Sequence, residues 1–240
     1  MTHVHAKAGA ALGTVVAGGI AGVRSYNSTQ HRWAAHHFAR LAADFEADHI
    51  GEARPYWQQW AYVDAAIAAA HGFLEAYINE IYADAADPEI ADGAHNGLSE
   101  RTVASMTGYW KAHHETASVL TKYRMARIFA TGAAGDDGRR PNEDVKLLIE
   151  LRNWLVHFKP KTLVGGAPAP KKSLETLRTR YSDNRIFEGV PASWFPHVAL
   201  SAGCARWAIE SAEQYVGEFI EDVGGTRTHH RLDPDPPETP

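Results

Sequence analysis

Three residues in the stretch LLIELRNWLVHFKP, residues 147–160, are of types that can do chemistry: Arg152, Asn153 and His157. A guanidinium presents a planar fork of donors that matches a carboxylate or a phosphate. An imidazole exchanges protons near neutral pH, and an amide can orient that ring or hold an oxygen. Their setting sharpens the question. On a helix turning about 100° per residue, Leu147, Leu148, Ile149, Leu151, Trp154, Leu155, Val156 and Phe158 cover roughly 220° of apolar arc. Arg152 falls at about 140°, inside that arc. Asn153 and His157, four residues apart, share the narrow polar face with Glu150. A guanidinium in an apolar stripe is costly unless something pairs with it. Arg152 therefore has a partner, a task, or both.

A partner is offered by FLEAYINEIY, residues 73–82, where Glu75 and Asn79 lie one turn apart on the flank of a Leu74, Ile78, Ile81 stripe. The spacing predicts that this helix packs beside residues 142–158, with Glu75 or Asn79 meeting Arg152. A buried Arg152–Glu75 pair that sets helix register would account for both residues without any activity.

The elements that must hold these side chains read as helical almost throughout. Ala34, Phe38, Leu41 and Phe45 recur at helical spacing over 29–48. Residues 56–85 carry the longest period, through Trp60, Asp64, Ile67, His71, Leu74, Ile78 and Ile81. Ser99 is placed to cap a helix running to about 113, and a further helix ends near Thr131. GAAGDDGRRP breaks the chain, Asn142 reads as the next N-cap, and that helix ends near Phe158 before Lys159-Pro160. A short helix follows over 171–181, and a long one runs from Ser193 to about Val223, stopped by Gly224-Gly225. No stretch reads as a strand. The expected fold class is all-α: an up-and-down helical bundle with a long C-terminal helix, forming a single domain over 29–224. Residues 1–28 read as a loose or weakly helical Ala/Gly-rich leader, and 225–240, rich in Pro, Asp and Thr, as a disordered tail.

With 240 residues and 45% hydrophobic content, the chain is long enough to bury a substantial core. A net charge of −5 argues against a protein that coats nucleic acid indiscriminately, while leaving room for a local basic site. The lone cysteine, Cys204, cannot build a disulfide framework, suits a reducing cytoplasm and reads as a buried thiol. The fourteen histidines lack metal-ligand spacing, HHETA included, so neither a metal nor a cofactor is expected. No stretch is suited to crossing a membrane; residues 8–23 are too short and too glycine-rich.

The string RNWLVH, an arginine with a polar neighbour and a histidine five residues on, closing an apolar helix, resembles the signature of the HEPN superfamily. With FLEAYINE as the acidic helix that faces the motif in many members, the likeness covers residues 56–160. It implies an α-helical bundle and a metal-independent endoribonuclease that acts as a homodimer, in a toxin or defence setting with an antitoxin or other partner protein. Cleavage of RNA through its own 2′-hydroxyl needs a base for that proton, an acid for the leaving 5′-oxygen and a cation near the phosphorane. A dyad that brings two such helices together supplies two histidines and two arginines. On this resemblance Arg152, Asn153 and His157 are the catalytic residues, with Glu75 and Asn79 supporting them.

Downstream, Lys159, Lys161, Lys171 and Lys172 begin a basic stretch that can guide an RNA backbone, or serve as an ordinary solvated face. Two other readings stay open. One is a non-catalytic HEPN-like dimerisation or partner-binding module with Arg152 as a structural ion-pair residue. The other is a bundle that binds an unrelated small ligand near Glu75 and Arg152.

Overall fold

The longest apolar period in the sequence becomes the centre of the molecule. In the computed structural model, which describes residues 13–17, 20–87, 97–136, 138–157 and 172–225, this helix is α2, Trp57–Ala86. The elements before it are a hairpin of β1, Gly13–Ala17, and β2, Ile20–Arg24, and then α1, Ser28–Asp48. After it come α3, Glu100–His113; α4, Val119–Thr131; α5, Asn142–Val156; α6, Lys172–Leu177; and α7, Ala202–Asp222. Helix α2 packs against α1, α3, α4, α5 and α7. It buries Ile67, Phe73, Leu74, Tyr77, Ile78, Ile81 and Tyr82, each large side chain contributing about 1.5–3 kcal/mol. The fold is an all-α bundle closed by a long C-terminal helix.

Small residues let α1 lie close along α2. The deepest positions of α1 are Ala35, Ala39, Ala42 and Glu46, while the larger Phe38, Leu41 and Phe45 of the expected stripe are half-buried. On α2, Gly72 is required by contact: a Cβ there would sit 2.8 Å from His31 Nδ1.

Carboxylates from neighbouring helices cap two N-termini. Glu80 of α2 accepts the Asn27 and Ser28 N–H groups at 2.7 and 2.8 Å and the Ser28 hydroxyl at 2.6 Å, at the start of α1. Glu46, buried near the end of α1, accepts the Ala202 N–H at 2.7 Å where α7 begins, and the Arg185 N–H at 3.2 Å in the turn Arg185–Phe187. Burial raises the Glu46 carboxyl above its ordinary range, partly offset by those N–H groups. The Ser99 cap foreseen from sequence also forms, accepting the Thr102 N–H at 3.2 Å, and the break expected after Thr131 begins at Gly132, which ends α4 at φ +79°.

Three local expectations are corrected. Residues 13–17 and 20–24 pair as antiparallel strands, Gly13 opposite Arg24 and Ala17 opposite Ile20, where a loose leader without strands was expected. Thr14, Val15, Val16, Ile20 and Val23 supply β-branched residues on both sides of Gly18-Gly19. Asn142 does not cap α5. It is the first helical residue, its amide donates to the Asp136 carbonyl at 2.9 Å, and its oxygen accepts from Arg127 at 3.4 Å. The last long helix begins at Ala202 rather than Ser193, because Phe195 is extended ahead of Pro196 and Ser201 caps the helix by accepting the Cys204 N–H at 2.9 Å. Residues 1–12 and 226–240, parts of the expected leader and tail, lie outside the described residues.

Helix α5, which carries the RNWLVH string, is fixed at both ends. At its start, buried Arg127 of α4 holds Asn142, donates to Asp222 at 2.9 Å and lies 5.0 Å from the Tyr215 ring, tying α4, α5 and α7 together. Arg180 meets Glu143 at 2.5 Å and Asp144 at 3.1 Å. Near its end, Trp154 packs edge-on against Phe195, with ring centroids 3.9 Å apart.

Candidate functional site

Between those anchors α5 buries Val145, Leu147, Leu148 and Leu151. Its apolar arc is wider than the face that the bundle covers. Ile149, Trp154 and Leu155 are half-buried, and Val156 is 58% exposed.

Asn153 and His157 both stand on the exposed side. His157 is the residue at which the helix stops, its N–H still bonded to the Asn153 carbonyl at 3.0 Å, so its imidazole projects from the helix end. Together with Leu120, Lys146, Ile149, Glu150 and Trp154, the two residues line an open cleft of about 450 Å³ between α5 and the start of α4. That volume suits a group the size of a nucleotide. Arg152 is half-buried, and its Nη1 donates to Oδ1 of the cleft-lining Asn153 at 3.0 Å.

The expected pairing of Arg152 with Glu75 or Asn79 takes a different form. Helix α2 does pack beside α5, but among the described residues no hydrogen bond or ion pair joins Arg152 to either side chain. Instead Glu75 lies 4.0 Å from His71 Nδ1, one turn earlier on α2, and Asn79 Oδ1 accepts from Lys122 Nζ of α4 at 2.8 Å. His71, Glu75 and Asn79 thus step along one face of α2 at intervals of four. Lys122 is buried, 4% exposed, with its ammonium 5.3 Å from the centre of the Trp110 ring.

Charge ties the group together. Burial holds the His71 imidazole below its ordinary range, the Arg152 charge adds to that, and Glu75 opposes both. Burial likewise lowers Lys122, against the pull of Glu75. His71 therefore favours its neutral form, and Glu75, half-exposed, lies 4.0 Å from its Nδ1.

The structure thus brings Arg152, Asn153 and His157 to one end of α5, and gathers Glu75 and Asn79 with His71 and Lys122. Sequence reasoning placed His71 in the α2 stripe but gave it no role, although its spacing from Glu75 was readable. Lys122 had no such signal, because its partner lies 43 residues away. Lys159, Lys161 and Lys171, three of the four lysines expected to guide RNA, lie outside the described residues, as does the side chain of Lys172. Cys204 is buried at the start of α7, and burial pushes its thiol up to about 12. Among the described residues no cluster of three His, Cys, Asp or Glu side chains is placed to hold a metal ion, and no helix is long and apolar enough to cross a membrane. No family model, curated protein or solved structure matches the chain.

Proposed function

We propose that the protein is a HEPN-like, metal-independent endoribonuclease that cleaves RNA through its 2′-hydroxyl and acts as a homodimer, in the toxin or defence setting that the resemblance implies. The observation that carries this reading is the exposed His157 imidazole at the end of α5, lining an open cleft with Asn153 while Arg152 is tethered beside them. In the reaction one His157 takes the 2′-hydroxyl proton and the dyad-related His157 protonates the departing 5′-oxygen, leaving a 2′,3′-cyclic phosphate. Arg152 stabilises the charge that grows on the phosphorane, and Asn153 orients the guanidinium through its side-chain oxygen. The uncovered apolar edge of α5, with Val156 58% exposed, supports a second copy docking along this helix.

The alternative of a non-catalytic dimerisation or partner-binding module, with Arg152 as a structural ion-pair residue, calls for a guanidinium buried against a carboxylate. The hydrogen bond of Arg152 goes to exposed Asn153, which favours the catalytic reading.

The test is incubation of wild-type and His157→Ala protein with mixed RNA in EDTA, after matching their fold and oligomeric state. Wild type should leave 2′,3′-cyclic phosphate ends, and the variant should be slower by about 10²–10⁴. Equal cleavage by both removes His157 from the chemistry, and absence of cleavage by wild type favours the partner-binding module.

A further inference from the structure

One arginine near the His157 cleft is held in place without being paired. Arg178 stands on the turn after α6, exposed, with its guanidinium carbon 4.7 Å from the centre of the Trp194 ring. Among the described residues that guanidinium makes no hydrogen bond and no ion pair, whereas Arg180 closes on Glu143 and Asp144, and Arg185 on Glu188. Trp194 is itself fixed, half-buried and with its Nε1 donating to Asp183 at 3.2 Å. A chain of ring contacts leads from it to the cleft. Trp194 lies 6.5 Å from Phe195, Phe195 lies 3.9 Å from Trp154, and Trp154 lines the cleft with Asn153 and His157. Extended backbone at Phe195 turns that ring inward onto α5 and leaves Trp194 on the outer side. On the helical wheel Trp154 and Ile149 stand at opposite edges of the cleft-lining face of α5, about 140° apart. The Trp154 edge is the one that adjoins Arg178.

We propose that Arg178, carried on Trp194, is a second phosphate contact of the RNA strand and grips the backbone where it leaves the His157 cleft over the Trp154 edge. The inference rests on reading that cleft as an RNA site, and extends the site beyond the reacting nucleotide. The chemistry along the path selects the occupant. An aromatic edge followed by an unpaired planar cation suits a chain that alternates flat bases with anionic phosphates. The guanidinium fork matches two oxygens of one phosphate. Its seat on the indole face leaves the N–H groups at its rim open to a ligand, and restrains the side chain before the strand arrives, which lowers the ordering cost of binding. Arg178 touches no reacting atom; it positions the strand.

The probe is a short fluorescein-labelled 2′-O-methyl oligoribonucleotide, which lacks the attacking hydroxyl and cannot be cleaved, followed by anisotropy over a range of salt concentrations. Arg178→Gln should weaken binding about three- to tenfold and lower the salt slope by about 0.7, the value for one phosphate contact on a single strand. Arg178→Lys, which keeps the charge and loses the fork, should restore the slope and part of the affinity. Arg101→Gln makes the same charge change at an exposed position of α3, a helix that does not pack against α5, and should leave both nearly unchanged. All three positions are on the surface, so the variants should fold as wild type does. Binding by Arg178→Gln that equals wild type, or falls no further than that of Arg101→Gln, overturns the proposal and leaves the cleft reading intact. An equal loss of slope in Arg178→Gln and Arg178→Lys also overturns it. The expected pattern from a wild type that cleaves no RNA would sink the endoribonuclease reading and leave the contact standing. Failure of wild type to bind the strand would remove both.

Discussion

Arg152→Ala separates the functional and structural accounts of this protein more sharply than the sequence suggested. Read from its place in the apolar arc, Arg152 is a buried cation, and deleting it should cost about 3–5 kcal/mol by stranding a partner charge. The structure gives a smaller figure. The guanidinium is half-buried, and its hydrogen bond is to the exposed Asn153 amide rather than to a buried carboxylate. An exposed hydrogen bond and some packing of the side-chain stem amount to about 0.5–1 kcal/mol, or about 1–4 °C in Tm for a chain of this size. The transition-state charge that Arg152 is proposed to meet should instead cost about 3–4 kcal/mol of activation energy, a factor of about 10²–10³ in rate. Urea unfolding of wild type and variant measures the first quantity, and initial rates of RNA cleavage in EDTA measure the second. A loss of 3 kcal/mol or more in stability, on the scale of a broken buried pair, would refute the reasoning and restore Arg152 to a structural role. Full stability with full cleavage would remove it from the reaction.

Two further predictions concern the scaffold. Glu46→Ala leaves the buried Ala202 N–H and the part-buried Arg185 N–H without an acceptor, so it should cost about 2–4 kcal/mol by urea unfolding, with Glu46→Gln losing about 1–2. Because the native carboxyl is raised, its contribution is full below the ordinary value of 4.5 and falls as pH rises through the native value. The gap between wild type and Glu46→Gln should therefore be wider at pH 4 than at pH 7. Glu213 carries the opposite sign. Burial would raise it, but the His36 hydrogen bond and the Arg32 and His36 charges prevail and hold it below the usual carboxylate range. Its contribution, about 1 kcal/mol, is present above pH 4.5 and lost as pH falls through the native value. Glu213→Gln should lower the urea midpoint at pH 7 and converge with wild type toward pH 3.

The sequence by itself determined the class of fold and the order of its helices. Periods of three and four, the Ser99 cap, and the stops at Gly132 and Gly224-Gly225 are local properties of the chain. It also determined that Asn153 and His157 share the polar face of α5, because helix geometry places residues four apart on one side whatever lies opposite. Its misses lie where one segment's conformation depends on another. Asn142 gave up its cap because Arg127 and Asp136 made better use of its amide, and the segment after Ser193 bends so that Phe195 meets Trp154. Only the tertiary structure decided that Glu46 and Glu80 cap helices that begin far from them in sequence. It alone decided that Lys122 stands on Asn79, and that Glu75 lies beside His71 of its own helix instead of the arginine expected. The reason is physical: a charged group entering a bundle takes whatever partners the packing of apolar faces brings within reach, and those faces carry no mark of which polar group will stand opposite.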